Sequence, residues 1–437
     1  MADGARSDDP AVQKQLDRLA QRSPGADILG LERIAELCAR LGHPERSLPP
    51  VFHVAGTNGK GSVCAFLRAA IEAAGLKAHV YTSPHLVRFN ERIRVAGQLI
   101  DDTELAALLK EVLDVSDDLS ASFFEVTTAA AFLAFSRNAA DATILEVGLG
   151  GRLDATNVVP RPAICGIASL GVDHEAFLSA DINRIASEKA GIAKPGVEIV
   201  TQRYGEEVTE AIARTVKQRG AEAIVRGTDW DGTTYDGQLH YRDHEGKLRL
   251  PLPRLPGPHQ IDNALLAIAM LRYQQKLALP ESALRAAMEW AEWPARLQRL
   301  QPGPLRDLLP ADAELILDGG HNPLAGEAIA AALPAGERIY LVMGLLANKD
   351  PEGLLGPLAP HIRSARFVDV PNHQSHDPET MAQLARNMGF TASTADCVEQ
   401  ALSDIAANGK PGKISVLIAG SLYLAGEVLR ANEQPPN

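Results

Sequence analysis

Residues 51–67 read VFHVAGTNGKGSVCAFL. The apolar run VFHVA predicts a strand, GTNGKGS a glycine-rich loop, and SVCAFL the opening turns of a helix. Gly56, Gly59 and Gly61 allow backbone conformations that turn successive N–H groups inward, Lys60 can neutralise phosphate charge, and the helix start adds the positive end of its dipole. This is a cradle for nucleotide phosphates, with Ser62 placed to contact the accompanying Mg²⁺. Only Thr57 and Asn58 separate Gly56 from the Gly59-Lys60 pair, where the generic phosphate loop has four residues, so the loop is a variant. The bland alternative is a solvated strand-to-helix turn, but a lysine between two glycines gains little from packing.

Working outward, LGLERIAELCARLG (29–42) has helical spacing, GSVCAFLRAAIEAAG (61–75) is a helix stopped by glycine, and KAHVYTS (77–83) is a strand. The alternation continues through DDTELAALLKEVLDV (101–115), VTTAAAFLAFSR (126–137), ATILEVG (142–148), AICGIAS (163–169), INRIASEKAG (182–191) and VEIVTQ (197–202). Such a pattern predicts a mostly parallel sheet with helices on both faces. Residues 226–258 change texture to glycine-punctuated short runs, predicting β-hairpins on the rim of this domain. WPARLQRLQPGPLRD (293–307) reads as a basic, proline-containing linker, and α/β alternation resumes beyond it. The predicted organisation is a polar arm over 1–24, an N-terminal P-loop ATPase-like α/β domain over 25–297, and a smaller C-terminal Rossmann-like α/β domain over 298–437.

Composition limits the function classes. The 437 residues are 46% apolar and 22% charged, ordinary for a folded chain. A net charge of −12 opposes nucleic acid and anionic membranes as partners, apart from a local basic site for one small polyanion. No apolar stretch is long enough to span a bilayer, and the acidic start MADGARSDDP is unlike a signal peptide. Cys38, Cys64, Cys165 and Cys397 form no CxxC pair and read as reduced core residues of a cytoplasmic protein.

Two further segments carry chemistry. In LEVGLGGRLDATN (145–157), Glu146 ends an apolar strand, where a carboxylate faces the ligand crevice of an open α/β sheet and can hold Mg²⁺. SLGVDHEAF (169–177) offers Asp173 and His174 at the same edge, on a strand end expected to neighbour that of Glu146. An exposed strand-end glutamate and an ordinary polar histidine are the plain alternatives. Lys189 in SEKAGIAKPG reads, by itself, as a helix C-terminal cation.

Taken in order, GTNGKGS, YTSPHL with ERIR, EVGLGGRLDATN, DH, EKAGI, DGGHNP and GSLYLAGEV resemble the folylpolyglutamate synthases of the Mur ligase superfamily, over roughly residues 29–430. The resemblance implies an ATP-dependent amide ligase that joins L-glutamate to dihydropteroate and adds further glutamates to reduced folates. It implies that Thr57, Asn58, Gly59 and Lys60 bind ATP phosphates, with Asn263, Arg296 and Asp318 completing a nucleotide site shared by both domains. Ser83, Glu146 and His174 match the magnesium ligands, two Mg²⁺ sites are implied, and a monovalent cation has a place in the family. Lys189 matches a lysine carried as N6-carboxylysine. Ser122, Phe123, Phe124 and Glu125, with Leu153, Asp154 and Ala155, match pteroate contacts, although Phe123 and Phe124 could instead cap a helix hydrophobically. His321 and Ser421 are implied glutamate contacts, with His321 also counted among the catalytic groups beside Lys60 and Lys189. The run Leu178-Ser179-Ala180-Asp181 departs from the family's Leu-Gly-Asp-Thr. A monomer is the default that the resemblance implies. The rival functions are a folylpolyglutamate synthase that cannot use dihydropteroate, a Mur ligase acting on a uridine-linked precursor, and a non-catalytic ATP-binding regulator. The second lacks room for a uridine-nucleotide domain before residue 56.

Overall fold

The computed structural model describes residues 5–22, 29–173, 181–334, 336–408 and 414–436. The chain divides into two compact units: Met1–His85, Phe89–Arg254 and His259–Glu292 form the first, and Leu86–Arg88, Leu255–Pro258 and Trp293–Asn437 the second. Sequence alone placed the division at 297, whereas the chain changes unit after Glu292 and two short upstream segments belong to the second unit.

In the first unit, eight strands form one sheet: β1 (Val51–Ala55), β2 (Ala78–Tyr81), β3 (Ile93–Val95), β4 (Gln98–Leu99), β5 (Ala142–Glu146), β6 (Ile164–Ile167), β7 (Glu198–Thr201) and β8 (Glu222–Val225). Their order is β4-β3-β2-β5-β1-β6-β7-β8. The run from β2 to β8 is parallel and only β3 and β4 are antiparallel, at one edge. β1, β2, β5 and β6 are buried throughout, which explains their largely apolar sequences: strands covered on both faces need no polar alternation. The helices are α1 (Pro10–Arg22), α2 (Glu32–Arg40), α3 (Lys60–Ala73), α4 (Asp102–Asp114), α5 (Phe123–Arg137), α6 (Ile182–Ala190), α7 (Glu206–Gln218), α8 (His259–Tyr273) and α9 (Glu281–Trp290). A three-stranded antiparallel sheet, β9 (Asp231–Tyr235), β10 (Gln238–Asp243) and β11 (Gly246–Pro251), fills the predicted hairpin region.

Residues 10–22, read as part of a polar arm, are an amphipathic helix. Val12, Leu16 and Leu19 recur on one face and are buried in a core with residues of α4 and α5. Asp9 caps the helix through the Ala11 and Val12 N–H groups. Low mean hydropathy hid the stripe, because ten of the thirteen positions are not large apolar residues.

The second unit has the sheet order β12-β13-β17-β14-β15-β16, from β12 (Gln298–Arg299), β13 (Glu314–Leu317), β14 (Ile339–Met343), β15 (Ile362–Phe367), β16 (Thr391–Thr394) and β17 (Ser415–Ala419). Five strands are parallel, with α10 (Pro323–Ala332), α11 (Pro351–Leu358), α12 (Pro378–Asn387), α13 (Val398–Asn408) and α14 (Leu422–Ala431). The stretch read as a linker lies inside this unit: β12 pairs antiparallel with β13, and Leu300, Leu305 and Leu309 are buried in its core. Cys38, Cys64 and Cys165 are buried as expected, but Cys397 is exposed, in the polar turn just before α13.

Candidate functional site

The loop between β1 and α3 sits at the centre of the first sheet. Gly59 has φ +84° and is the residue before α3. A Cβ there would collide with Asn263 Oδ1, so glycine is required both by the left-handed backbone and by the close approach of α8. Asn263 is buried, and its amide donates to Gln260 Oε1 at 3.0 Å. Gln260 is fully buried and its Nε2 has no partner among the described residues.

The loop is braced from the β6 side. Thr57 N–H donates to Ser169 O at 2.8 Å, Thr57 Oγ1 to Gly171 O at 2.8 Å, and Ser169 Oγ to Asn58 O at 3.1 Å. Thr57 therefore shapes the loop with its hydroxyl. Sequence reasoning missed Ser169 and Gly171, which belong to the SLG run after β6; the only signal was their position at the same sheet edge.

Two cations converge on this loop. Lys60 Nζ donates to Gly56 O and Thr57 O, both at 3.1 Å, and Lys189 Nζ donates to the same Gly56 O at 3.1 Å. Lys189 is 5% exposed. Burial first, then the charge of Lys60, push its amine down from an ordinary 10.5 to about 7, while Asp173 and Asp154 oppose the shift. Like charges gathered beside a glycine cradle and an orphaned amide fit a polyanion. Ser62 is buried on α3.

Glu146 ends β5, is buried, and accepts from the Ser83 N–H at 3.3 Å. Sequence alone made the ends of β5 and β6 neighbours, but β1 lies between them. A crossover connection set β1 into that gap, so Glu146 and Asp173 flank the phosphate loop from opposite sides. A buried carboxylate beside a site that gathers phosphate charge fits Mg²⁺, whose ligands are oxygens. His174 and Leu178 to Ala180 lie outside the described residues; Asp181 caps α6 by accepting from Asn183 N–H. Among the described residues no cluster of three or more His, Cys, Asp or Glu side chains could hold a metal.

The residues matched to pteroate contacts are largely engaged within the protein. Ser122 and Glu125 form a capping box at the start of α5, and Glu125 also pairs with Arg33 at 3.0 Å. Phe123 is buried and packs edge-on against Phe89, the hydrophobic role left open above. Phe124 is half-buried with its ring against Gly148. Leu153 is half-buried and Ala155 buried. Asp154 is buried and holds the glycine-rich turn, accepting from the Gly148, Leu149 and Thr156 N–H groups at 3.0, 2.8 and 3.0 Å.

In the second unit, Asp318 follows β13. Its carboxylate accepts from Leu297 N–H at 2.8 Å and Gly320 N–H at 2.7 Å. Arg296 Nη1 donates to Ala295 O, and the His321 ring lies 2.9 Å from Gly319 O through Nδ1. Ser421 is buried and caps α14 through the Tyr423 and Leu424 N–H groups. β13 and β17 are parallel neighbours, so the Asp318–His321 turn and Ser421 share one carboxyl edge. A cleft lined by Glu198, Glu222, Asp243 and Tyr273 opens at the other end of β7 and β8 and contains none of these groups.

Residues 54–271 match the family model described as the Mur ligase middle domain, and residues 304–431 the one described as the dihydrofolate synthetase C-terminal domain. The dihydrofolate synthase/folylpolyglutamate synthase of Escherichia coli (strain K12) is 36% identical over 409 residues, covering 92% of this chain and 90% of the relative. The folylpolyglutamate synthase of Lacticaseibacillus casei is 30% identical over 416 residues, covering 91% and 92%. The solved structure of E. coli FolC in complex with DHPP and ADP superposes with a TM-score of 0.87 at 33% identity, covering 97% of both chains. A bifunctional folylpolyglutamate synthase/dihydrofolate synthase with Mn, AMPPNP and L-glutamate bound, from the same fold, gives a TM-score of 0.84 at 31% identity over 96% and 97%.

Proposed function

Because the chain belongs to the dihydrofolate synthase/folylpolyglutamate synthase family of Mur-type ligases, we propose that the carboxyl edge of its first sheet activates a pteroate or folate carboxylate for amide formation with L-glutamate. The enzyme is an ATP-dependent ligase of folate metabolism. The observation that carries the site assignment is the convergence of Lys60 and Lys189 on Gly56 O, beside a glycine loop closed by Asn263.

A carboxylate resists an amine because its leaving group would be oxide. Transfer of the γ-phosphoryl group of ATP to the carboxylate oxygen turns that leaving group into phosphate and releases ADP. The amine of L-glutamate then attacks the acyl carbon, loses a proton, and the tetrahedral intermediate collapses with loss of phosphate. Lys60 places positive charge where negative charge develops on the transferring group. The loop N–H groups, Asn58, Gly59 and Asn263 orient the phosphates. Ser83, Glu146 and His174 are the proposed Mg²⁺ ligands, and two bound Mg²⁺ ions supply charge neutralisation at the phosphates. Lys189, held near pKa 7, has the neutral amine that attacks carbon dioxide, losing a proton to become an anionic carbamate, and so changes from a repelled cation into an oxygen donor.

Arg296 and Asp318 in the second unit are proposed to serve the nucleotide and His321 the incoming glutamate, on the sequence resemblance. Ser421 enters the proposal as the cap that fixes the start of α14. The acceptor is proposed to contact the turn over Leu153–Ala155 and the exposed edge of Phe124. The protein is proposed to act as a cytoplasmic monomer. Among the described residues no helix is long and apolar enough to cross a membrane.

Both activities are proposed. A relative named for polyglutamylation alone, from L. casei, makes the single activity the second reading. Phosphate release with L-glutamate and either dihydropteroate or tetrahydrofolate, with products identified by mass, separates the two. Turnover with both acceptors is expected, and turnover with tetrahydrofolate alone would reduce the enzyme to a polyglutamylating one. ATP binding without turnover on either would leave the regulatory alternative.

A further inference from the structure

Asp154 has four donors on its two oxygens: the N–H groups of Gly148, Leu149 and Thr156, and the Thr156 hydroxyl. That saturates a carboxylate buried to 2% exposure. Because the one hydroxyl proton of Thr156 goes to Asp154, Thr156 Oγ1 must accept from its other neighbour, His53 Nε2, at 2.8 Å. His53 is fully buried on β1, between Leu145 of β5 and Cys165 of β6 in register. Its Nε2 therefore carries the proton, and Nδ1 has no partner among the described residues. The result is a one-way chain, His53 to Thr156 to Asp154, running from the central strand to the Gly148–Leu149 turn.

That turn lies between two groups of the proposed chemistry. It begins two residues after Glu146, and a Cβ on Gly151 would come within 2.7 Å of Glu188 O and 3.0 Å of Lys189 Cα. Arg152 N–H donates to Glu188 O at 2.8 Å, closing the loop onto α6. On its other side the Phe124 ring lies against Gly148.

We propose that His53 and Thr156 are positioning residues for the acceptor, acting through Asp154 to fix the 148–154 turn against Phe124, while Asp154 itself is an anchor of the turn and makes no direct hydrogen bond to the acceptor. This rests on the ligase reading above. Burial pushes the His53 imidazole down to about 3, so the ring stays neutral across the physiological range and Nε2 carries its single proton. The Thr156 hydroxyl is fully buried, and its loss removes a donor that orients Asp154 and the acceptor for a buried N–H.

The test is steady-state kinetics of the full-length enzyme with dihydropteroate, ATP and L-glutamate. Thr156→Val should raise the dihydropteroate KM about tenfold, the effect of one charge-assisted hydrogen bond, with the ATP KM within about twofold of wild type on the same scale. Thr156→Ser, which keeps the hydroxyl, should restore the acceptor KM. His53→Leu should reproduce the Thr156→Val defect, and His53→Gln, which keeps a donor near the Nε2 position, should relieve it. A lowered melting temperature with an unchanged acceptor KM would make the chain merely structural and overturn the proposal. So would an equal rise in the ATP KM, or a Thr156→Ser enzyme as impaired as Thr156→Val. Wild-type enzyme that turns over no acceptor would instead overturn the ligase reading, which the wild-type arm shows separately.

Discussion

The carboxyl edges of the two sheets use polar residues in opposite ways. At the first edge, the side-chain nitrogens of Lys60 and Lys189 converge on one carbonyl oxygen, an arrangement relieved by an incoming anion or by loss of the Lys189 charge. At the second edge, Asp318 is satisfied by two backbone N–H groups and Ser421 by the start of α14. Charge held against its own preference marks the place where a ligand is expected to complete the structure, whereas Asp318, proposed above to serve the nucleotide, is already held in position by backbone donors. Asp154 teaches the same distinction within the first edge, because its carboxylate is saturated although it lies beside the reactive groups.

Replacing Lys60 should give the largest effect. Lys60→Ala is expected to lower kcat by roughly 10²–10³-fold, as for loss of one group that stabilises developing charge, with circular dichroism unchanged. A near-normal rate would dissolve the contrast between the two edges. Lys189→Ala should lose activity on a similar scale, and isotopically labelled bicarbonate should give a carbamate NMR signal in wild type that the variant lacks. If the variant keeps its rate, the carbamate has no role.

Gly59→Ala should raise the ATP KM and destabilise the fold by about 1–2 kcal/mol, the cost of left-handed backbone for a residue with a Cβ, read by urea titration. Stability against pH sharpens the account of Lys189. Its folded pKa is about 7 against an ordinary 10.5, so between those values the unfolded chain holds a proton that the folded chain lacks. Stability from this group should therefore rise as pH climbs through that window in bicarbonate-free buffer, with no slope below it. Lys189→Met should flatten that component, and an unaltered wild-type-minus-variant difference would contradict the buried, depressed amine. The smallest effect is expected at Ser421: Ser421→Ala should cost about 1 kcal/mol as a lost helix cap, with the glutamate KM unchanged. A large KM rise would move Ser421 from scaffold to ligand contact.

The parts of the fold legible in the sequence are those whose signals are local. VFHVAGTNGKGSVCAFL shows β1, the loop and α3 because hydrophobic run, glycines and helix start lie end to end. Glu146 at the end of β5 was legible for the same reason. What sequence spacing cannot carry is lateral order: β1 separates β5 from β6 through a crossover, so the flanking of the loop by Glu146 and Asp173 emerges only in three dimensions. Segments of low hydropathy hid their structure, as in α1 with its Val12–Leu16–Leu19 stripe and in the stretch from the short β12 through the buried Leu300, Leu305 and Leu309 that follow it. His53 gave one faint signal, a polar residue within a strand otherwise apolar. Its partner Thr156 is 103 positions away, beyond any pattern of neighbours.

The most direct measurement is the fate of the carboxylate oxygen. With dihydropteroate labelled with heavy oxygen in its carboxylate, plus ATP and L-glutamate, activation by phosphoryl transfer predicts one labelled oxygen in each inorganic phosphate released, read by mass spectrometry. Amide product formed with no label in the phosphate would contradict activation at the Lys60–Lys189 edge, and with it the central claim.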